Sequence, residues 1–238
     1  MEINKVINGF WEGDRLTNIQ KLCIRSFQDN GHDFHLYVKG QTEGIPAGTI
    51  VHDVREILPP IIPPFTAPNF FSDYFRAKLI YEVGGYYSDV DEICLKPFNF
   101  TEPYVFVSEV WQLDPSKFVN NGCIFKAPPK CEFLADIIRT IENMDVQHPT
   151  SWVCMGPELF TKMIPKYNLG QYVKEPAVFD PLRPERLGDF VSGGQTWDLS
   201  QAYATHLRTS YWSGVRFQPN ATYESDSLFE QLKRKHGV

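Results

Sequence analysis

Apolar and polar residues follow one another along the chain in two periods, one typical of strands and one typical of helices. Residues 3–7 alternate as a short strand does, and residues 34–38 repeat that pattern. Between them, Thr17 or Asn18 is placed to cap a helix whose apolar residues recur on one face. The N-terminal stretch therefore predicts a β-α-β unit, and the same succession further along predicts an α/β protein.

A proline-rich segment, residues 58–69, predicts an extended loop, because proline removes a backbone donor and fixes φ. Directly after this loop, Ser72 is placed to cap a helix over residues 73–83. Gly84-Gly85 is then expected to end the helix and form a tight turn.

The most informative segment is residues 70–98, which read FFSDYFRAKLIYEVGGYYSDVDEICLKPF. A strand is expected from Tyr86 onward, with Asp89 and Asp91 at its carboxyl end. Ligands of open α/β sheets bind at the carboxyl ends of strands. The segment therefore predicts that the two aspartates lie at a binding site.

Further along, residues 104–107 and 123–126 predict strands, and residues 131–144 predict an amphipathic helix. Pro157 is placed to open another short helix, since proline is favoured at the first helical position. The sequence shows no internal repeat and no linker rich in glycine and serine. A single domain is therefore expected over residues 1–238.

Composition narrows the classes of function. The chain has 238 residues, of which 42% are hydrophobic and 22% charged, and a formal net charge of −6. That charge makes nucleic acid an unlikely partner, because binding a polyanion needs clustered lysine and arginine. The five cysteines form no C-x-x-C pair and are expected to be reduced thiols of a cytoplasmic protein. No stretch approaches the roughly 18 apolar residues of a transmembrane segment, so a soluble enzyme is expected.

The spacing of Asp89 and Asp91 points to a metal. On a regular strand, residues two apart project from the same face. Two carboxylates so placed suit Mg²⁺ or Mn²⁺, whose remaining positions suit phosphate oxygens. The expected chemistry is metal-assisted departure of a diphosphate. Taken alone, D-x-D is equally a common acidic pair at a strand end.

Asp73 and Arg76 are three residues apart and so share a helix face. One interpretation is a surface ion pair of small energetic value. The other is that Asp73 accepts hydrogen bonds from sugar hydroxyls while Arg76 forks onto the sugar or a phosphate.

As a block, S-D-x-x-R, then L-x-x-x-G-G-x-Y, then D-x-D resembles the core of glycosyltransferase family 32. This family includes yeast mannosyltransferases and bacterial enzymes of capsular polysaccharide biosynthesis, and its core is similar to the catalytic domains of clostridial glucosylating toxins. The resemblance implies a GT-A type, Rossmann-like fold with a helical C-terminal part and a lid. Residues 1–126 would then form the nucleotide-sugar-binding core, and residues 127–238 the acceptor side and the lid.

The resemblance also implies a metal-dependent hexosyltransferase that retains anomeric configuration. A UDP-sugar is the favoured donor, a GDP-sugar stays open, and a glycan is the expected acceptor. Asp73, Arg76 and Asp91 would be the catalytic residues. No carboxylate in the sequence is recognisable as a covalent nucleophile, so front-face departure of the diphosphate is favoured.

Two further positions carry the resemblance near the donor. The segment NGFWEGD is similar to the family's I-W-x-G segment, and places Trp11 where a tryptophan stacks on the nucleotide base. Filling the core beside the first strand is an equal alternative for Trp11. Asn121, in Asn120-Asn121-Gly122, matches a position near the sugar, although Asn-Gly is also an ordinary turn signal.

The segment ATHLRTSYW is similar to the family's H-x-n-S-W stretch. The resemblance implies that His206 joins Asp89 and Asp91 as a metal ligand, with Ser210 and Trp212 donating hydrogen bonds to the diphosphate. Tyr211 separates Ser210 from Trp212, which leaves open the pair that contacts the phosphates. Without the resemblance, a histidine here is more often an ordinary surface residue.

Competing functions remain on sequence grounds. A phosphatase of the haloacid dehalogenase type also carries D-x-D, but it expects threonine two residues after the second aspartate, and here Glu92-Ile93 follows Asp91. A second alternative is a non-catalytic module that binds nucleotide-sugar or glycan. A third keeps the transferase and changes the acceptor to a protein or to modified DNA of the phage type.

Overall fold

The protein is built on a seven-stranded sheet with strand order β3-β2-β1-β4-β7-β6-β8, beside a two-stranded ribbon of β5 and β9. The computed structural model describes residues 4–110, 117–212 and 217–238, with only the backbone at residue 211. The strands are β1 (Val6–Trp11), β2 (Asp33–Val38), β3 (Ile50–Asp53), β4 (Gly85–Ser88), β5 (Glu92–Cys94), β6 (Val105–Val110), β7 (Phe118–Ala127), β8 (Val173–Lys174) and β9 (Ala204–His206).

Helices pack against the sheet, and five of the seven in the described part of the chain lie in the C-terminal half. They are α1 (Asn18–Asp29), α2 (Pro68–Val83), α3 (Glu132–Glu142), α4 (Pro157–Lys166), α5 (Pro176–Phe179), α6 (Leu187–Val191) and α7 (Leu228–His236). Among the described residues, no helix combines the length and the apolar character needed to cross a membrane.

Strand directions show a mostly parallel sheet. β1 is parallel to β2 and to β4, and β2 is parallel to β3. β7 is antiparallel to both β4 and β6, and β8 is parallel to β6, so within this sheet β7 alone is reversed. This confirms the predicted α/β class, and the mostly parallel sheet with helices is the arrangement expected of a GT-A type fold.

The N-terminal β-α-β unit is confirmed, with small shifts at its ends. β1 begins at Val6, later than expected, and residue 3 lies outside the described residues. Thr17 is the N-cap of α1, and its backbone N–H donates to the Gln20 side chain at 3.0 Å. The helix buries an apolar face that includes Leu22 and Phe27.

The strand order places a topological switch point between β1 and β4. From β1 the chain passes to β2 on one side, and β4 pairs with β1 on the other side. At such a point the connections diverge and leave a crevice at the carboxyl ends of the strands. Trp11 ends β1, and Asp89 directly follows β4, so both belong to the rim of this crevice.

The prediction for α2 was wrong at its start. The helix begins at Pro68, so the proline-rich loop is shorter than expected and Ser72 lies inside the helix rather than at its N-cap. The physical reason is that proline at the first helical position sacrifices no hydrogen bond. As a result Asn69 and Ser72 are held on the same helix as Asp73.

The Gly84-Gly85 turn joins α2 to β4 as expected. Both glycines have positive φ, 69° and 83°, which side chains other than glycine rarely adopt. At Gly84 a Cβ would also lie 2.5 Å from Cδ of Pro129. The turn therefore fixes the direction of β4 toward the crevice.

Asp89 and Asp91 do not lie on a regular strand, which corrects the same-face argument from their spacing. β4 ends at Ser88, β5 begins at Glu92, and the two aspartates occupy the turn between them. The Asp89 N–H donates to the Cys123 carbonyl of β7 at 2.7 Å, which extends the β4–β7 pairing by one residue before the chain turns. Near this level β7 is irregular, since the β6–β7 register shifts between Phe106 and Val107.

Candidate active site

Two adjoining cavities open at the crevice between β1 and β4. Their volumes are about 220 and 260 Å³, and they share Asn69, Asp89, Asp91 and Thr209. We call the first the acidic cavity, for the carboxylates on its wall, and the second the tryptophan cavity, for Trp11. Together they form one elongated cleft.

Most of the residues expected at the site line the acidic cavity, namely Asp73, Arg76, Asp89, Asp91, Asn121, His206 and Ser210. These residues come from both halves of the chain, so the cavity is not confined to residues 1–126. Trp11 lines the tryptophan cavity, and Trp212 lines neither of these two cavities.

Arg76 is buried, and its five N–H groups are directed at protein acceptors. Nη1 donates to Asp89 Oδ2 at 3.0 Å and to the Gly122 carbonyl at 2.8 Å. Nε and Nη2 donate to the backbone and side chain of Ser72, and Nη2 lies 3.4 Å from Asp73 Oδ1. In this structure Arg76 therefore holds Asp89 in place and does not present unpaired guanidinium donors to a ligand.

Asp73 faces the acidic cavity from the second turn of α2. Its side chain is 9% exposed, and Arg76 is the only ion-pair partner found for it among the described residues. Burial raises the pKa of Asp73 to about 6, although the Arg76 charge opposes this. The backbone of Gly156 passes so close that a Cβ there would lie 2.7 Å from Asp73 Oδ2. The carboxylate is thus confined but retains acceptor capacity toward the cavity.

Asp89 is held from two sides. Tyr87 Oη donates to Oδ1 at 2.8 Å, and Arg76 donates to Oδ2. Burial raises the pKa of Asp89, and the Arg76 charge opposes this. Both carboxylate oxygens already have protein donors, which fixes the position of Asp89 where the two cavities meet.

Asp91 is held by the C-terminal segment. Oδ2 accepts from the N–H of Thr209 at 3.0 Å and from its hydroxyl at 2.8 Å. Oδ1 lies 3.6 Å from Nε2 of His206. Burial alone would raise the pKa of Asp91, but the His206 charge and the Thr209 hydrogen bonds outweigh it and hold the pKa below its ordinary value.

His206 is surrounded by carboxylates. β9 pairs with β5 so that His206 lies opposite Glu92, and Nδ1 lies 3.7 Å from Glu92 Oε1 and 3.5 Å from Glu109 Oε2. Burial alone would lower the pKa of His206, but the charges of Glu92 and Asp91 outweigh it and raise the pKa well above its ordinary value. The imidazole is therefore not the ordinary surface histidine that the sequence left open.

The donor atoms around His206 form two compact groups among the described residues. In each group the donor atoms lie within 4.8 Å of one another; the groups are Glu92-Cys123-His206 and Glu109-Asp180-His206. The expected trio of Asp89, Asp91 and His206 is not such a group, because Asp89 is turned toward Arg76 and Tyr87. Asp91 and His206 remain close enough to share an ion.

Glu109, which the sequence did not single out, joins Asn121 to Arg208. Its Oε1 accepts from Asn121 Nδ2 at 2.8 Å, and its Oε2 accepts from Arg208 Nη2 at 3.2 Å. Arg208 is also paired with the buried Asp180. Arg208 has φ 49°, a left-handed conformation that is strained outside glycine, and it directly precedes Thr209. This network fixes both Asn121 and the turn that holds Asp91.

Trp212 lies away from the cleft. It is 3% exposed, and its indole N–H donates to the Leu207 carbonyl at 2.8 Å. The ring packs in the core that α7 forms with α1 and α6, in contact with Phe229. In this conformation the indole has no free donor for a diphosphate, whereas Ser210 lines the acidic cavity. Residues 213–216 of the expected lid lie outside the described residues.

The position of Trp11 agrees with both roles that the sequence left open, core packing and stacking on a base. It packs against the core around β1 and also lines the tryptophan cavity. Its buried Nε1 has no hydrogen-bond partner among the described residues. The ring is therefore placed at the end of the cleft remote from Asn121 and Glu109, which line the acidic cavity alone.

Comparison with known proteins fits this site. Residues 23–107 match the family model described as a glycosyltransferase sugar-binding region containing a DXD motif, and that range includes Asp73, Arg76, Asp89 and Asp91. The match supports a glycosyltransferase enzyme, as the sequence predicts; it does not single out family 32. No curated protein matches the chain. Among solved structures, one titled "PaToxG Glycosyltransferase" is similar over 99% of this chain and 86% of that chain, with 13% identity and a TM-score of 0.49.

Proposed function

We propose that this protein is a metal-dependent, retaining hexosyltransferase that uses a nucleotide-sugar, with UDP favoured over GDP, and transfers the sugar to a glycan. One observation carries the proposal. Asp89 and Asp91 lie in the turn after β4, at the switch point of the sheet, between the cavity of Trp11 and the cavity of Asp73. An elongated donor with a base at one end and a sugar at the other fits such a cleft.

Asp91 and His206 are the residues we assign to a divalent cation. Two ligands about 2.1 Å from one ion and at right angles are about 3.0 Å apart. Asp91 Oδ1 and His206 Nε2 are 3.6 Å apart, so a small movement together with loss of the imidazolium proton brings both to one ion. When bound, Mn²⁺ or Mg²⁺ supplies positive charge that stabilises the departing diphosphate.

Further roles follow from where each side chain faces. The base stacks on Trp11. Asp73 accepts hydrogen bonds from hydroxyls of the donor sugar, and Asp89 contacts the part of the donor between the base and the sugar. The Ser210 hydroxyl donates to the diphosphate. Arg76 acts by positioning Asp89 and Asp73, because its own donors are already occupied.

We favour retention without a covalent intermediate. Both carboxylate oxygens of Glu109 accept hydrogen bonds, from Asn121 and from Arg208, so we assign Glu109 to positioning these neighbours. Front-face departure, in which the acceptor approaches from the side that the diphosphate leaves, then relies on positioning and electrostatic stabilisation.

A screen of UDP-sugars and GDP-sugars with Mn²⁺, Mg²⁺ or EDTA tests the proposal by the release of UDP or GDP. We expect release with one base, dependent on the metal and abolished by EDTA. Metal-independent release would remove the metal assignment. Tight, metal-dependent binding of UDP without turnover of any donor would instead favour the non-catalytic binding module. The same preparation, offered glycans, a protein extract and DNA as acceptors, separates the acceptor classes.

A further inference from the structure

The lining of the acidic cavity also includes apolar side chains. Trp152, Val153, Pro157 and Val110 line the same cavity as Asp73 and Asp91. The valines are buried, but Trp152 is 53% exposed. Because Trp152 lines the cavity, its exposed indole offers an apolar face to a ligand bound there. The proposed donor leaves these apolar side chains free, because its base is placed at Trp11 in the other cavity.

The backbone holds Trp152 in a fixed place relative to the carboxylates. Asn69, on α2 and one turn before Asp73, donates its Nδ2 to the Trp152 carbonyl at 2.8 Å. Four residues on, Gly156 packs against the Asp73 carboxylate, so tightly that a Cβ would overlap it. The loop that carries Trp152 is thus attached to α2 at Trp152 itself and again at Gly156.

We infer that Trp152 is the platform for the acceptor, and that the acceptor is the pyranose end of a glycan. This inference rests on the proposed function. A pyranose ring has an apolar C–H face that packs on an indole. The hydroxyls at its rim donate hydrogen bonds to carboxylates. In the transfer, an acceptor hydroxyl oxygen bonds to the anomeric carbon, the bond to the diphosphate oxygen breaks, and the hydroxyl proton leaves with the diphosphate.

The charge of the cavity argues for a neutral, hydroxyl-rich acceptor. Asp73, Asp89, Asp91 and Glu109 all line it, against Arg76, Arg208 and His206. Both arginines are already paired with carboxylates. An acidic peptide or a nucleic acid would bring further negative charge to this cavity, whereas a pyranoside brings none.

The test uses the intact protein with Mn²⁺ and a panel of methyl glycosides, the α and β anomers of glucose, galactose and mannose. Binding is measured directly by saturation-transfer NMR, and transfer by mass spectrometry with the donor found active. For Trp152→Ala we expect loss of glycoside binding and a KM for the glycoside at least tenfold higher. Release of UDP without acceptor should stay within twofold of wild type. Trp152→Phe should restore much of the binding, because it keeps an aromatic face.

Phe118→Ala is the matched control, because Phe118 is 63% exposed but does not line the acidic cavity. It should leave both readouts unchanged. The inference is overturned if no glycoside binds the wild type, or if Trp152→Ala leaves glycoside binding and KM unchanged. It is also overturned if Trp152→Ala lowers acceptor-free UDP release as much as transfer, because Trp152 would then belong to the donor site. Failure of every donor contradicts the proposed function separately, since glycoside binding is read without turnover.

Discussion

Asp91 and Thr209, 118 residues apart in sequence, are joined by two hydrogen bonds. The Thr209 N–H and hydroxyl both donate to one carboxylate oxygen, Asp91 Oδ2, which leaves Oδ1 toward His206. The C-terminal segment therefore sets the orientation of the second aspartate of the D-x-D motif. Several consequences of this and of neighbouring contacts can be measured.

Thr209→Val removes the hydroxyl donor and keeps the backbone N–H. Asp91 would then be held by one hydrogen bond in place of two, and we expect the Mn²⁺ concentration for half-maximal turnover to rise about tenfold, equivalent to ~1.4 kcal/mol. The free energy of unfolding should fall by about 1 kcal/mol, the value of one hydrogen bond. Thr209→Ser keeps a hydroxyl and should resemble wild type. Titration of turnover with Mn²⁺ measures the effect, and equal Mn²⁺ dependence in all three proteins would contradict it.

Asp91→Asn keeps the size of the side chain and removes its charge. We expect metal-dependent release of UDP to fall by at least about 10³-fold, because the assigned cation loses its anionic ligand. The fold should survive, since the amide oxygen still accepts from Thr209. Circular dichroism and thermal unfolding check the fold, and Asp145→Asn, at an exposed carboxylate, is the control for activity. An Asp91→Asn protein with wild-type turnover would falsify the metal assignment.

Arg76→Met is expected to be a stability variant as much as an activity variant. The substitution leaves the buried carboxylate of Asp73 and the half-buried carboxylate of Asp89 without their cation, and breaking a buried pair costs about 3–5 kcal/mol. Adding Asp89→Asn should recover part of that loss. Arg139→Met, which breaks the more exposed pair with Asp136, should cost less than about 1 kcal/mol.

Urea denaturation measures these four proteins. If Arg76→Met and Arg139→Met lower the free energy of unfolding by similar amounts, burial of the Arg76 ion pairs does not add to the cost of breaking them. No recovery in the double variant would mean that Asp89 is not the carboxylate left unpaired.

The sequence predicted the elements well where the signal is local. Thr17 caps α1 as expected, and Gly84-Gly85 ends α2 as expected. The start of α2 was misjudged because prolines were interpreted as loop throughout, although Pro68 is compatible with a first turn. The periodicity of Asp89 and Asp91 gave the wrong local structure, because β4 ends at Ser88 and the chain turns before β5 begins at Glu92.

Most of the residues expected at the site do line the acidic cavity, because the family pattern carries that information. Glu109 and Arg208 could not be predicted, since they meet only when β6 and the segment after β9 come together, 99 residues apart. Arg208 and Thr209 did lie inside the ATHLRTSYW segment, where only His206, Ser210 and Trp212 were singled out. The buried position of Trp212 could not be predicted from sequence. An indole whose N–H is free and one whose N–H is bonded to a nearby carbonyl have the same sequence pattern.

His32 predicts a pH dependence of stability that is independent of the candidate active site. Its Nδ1 lies 2.7 Å from the Asn4 carbonyl, and its Nε2 accepts from the Phe98 N–H at 3.0 Å. These partners select the neutral tautomer with the proton on Nδ1. Burial lowers the pKa of His32 below 6.5, although the hydrogen bond with the Asn4 carbonyl and the charge of Asp33 oppose this.

Because the folded pKa is the lower one, the unfolded chain binds the proton first as the pH falls. The contribution of His32 is therefore complete above pH 6.5 and is lost as the pH falls from 6.5 toward the folded pKa. The slope over that window is at most about 1.4 kcal/mol per pH unit. Urea denaturation between pH 8 and pH 5 should show this slope in wild type and a shallower one in His32→Gln, whose amide can still donate and accept. Equal slopes in the two proteins, or an imidazole that titrates by NMR at or above pH 6.5, would show that burial does not govern this histidine.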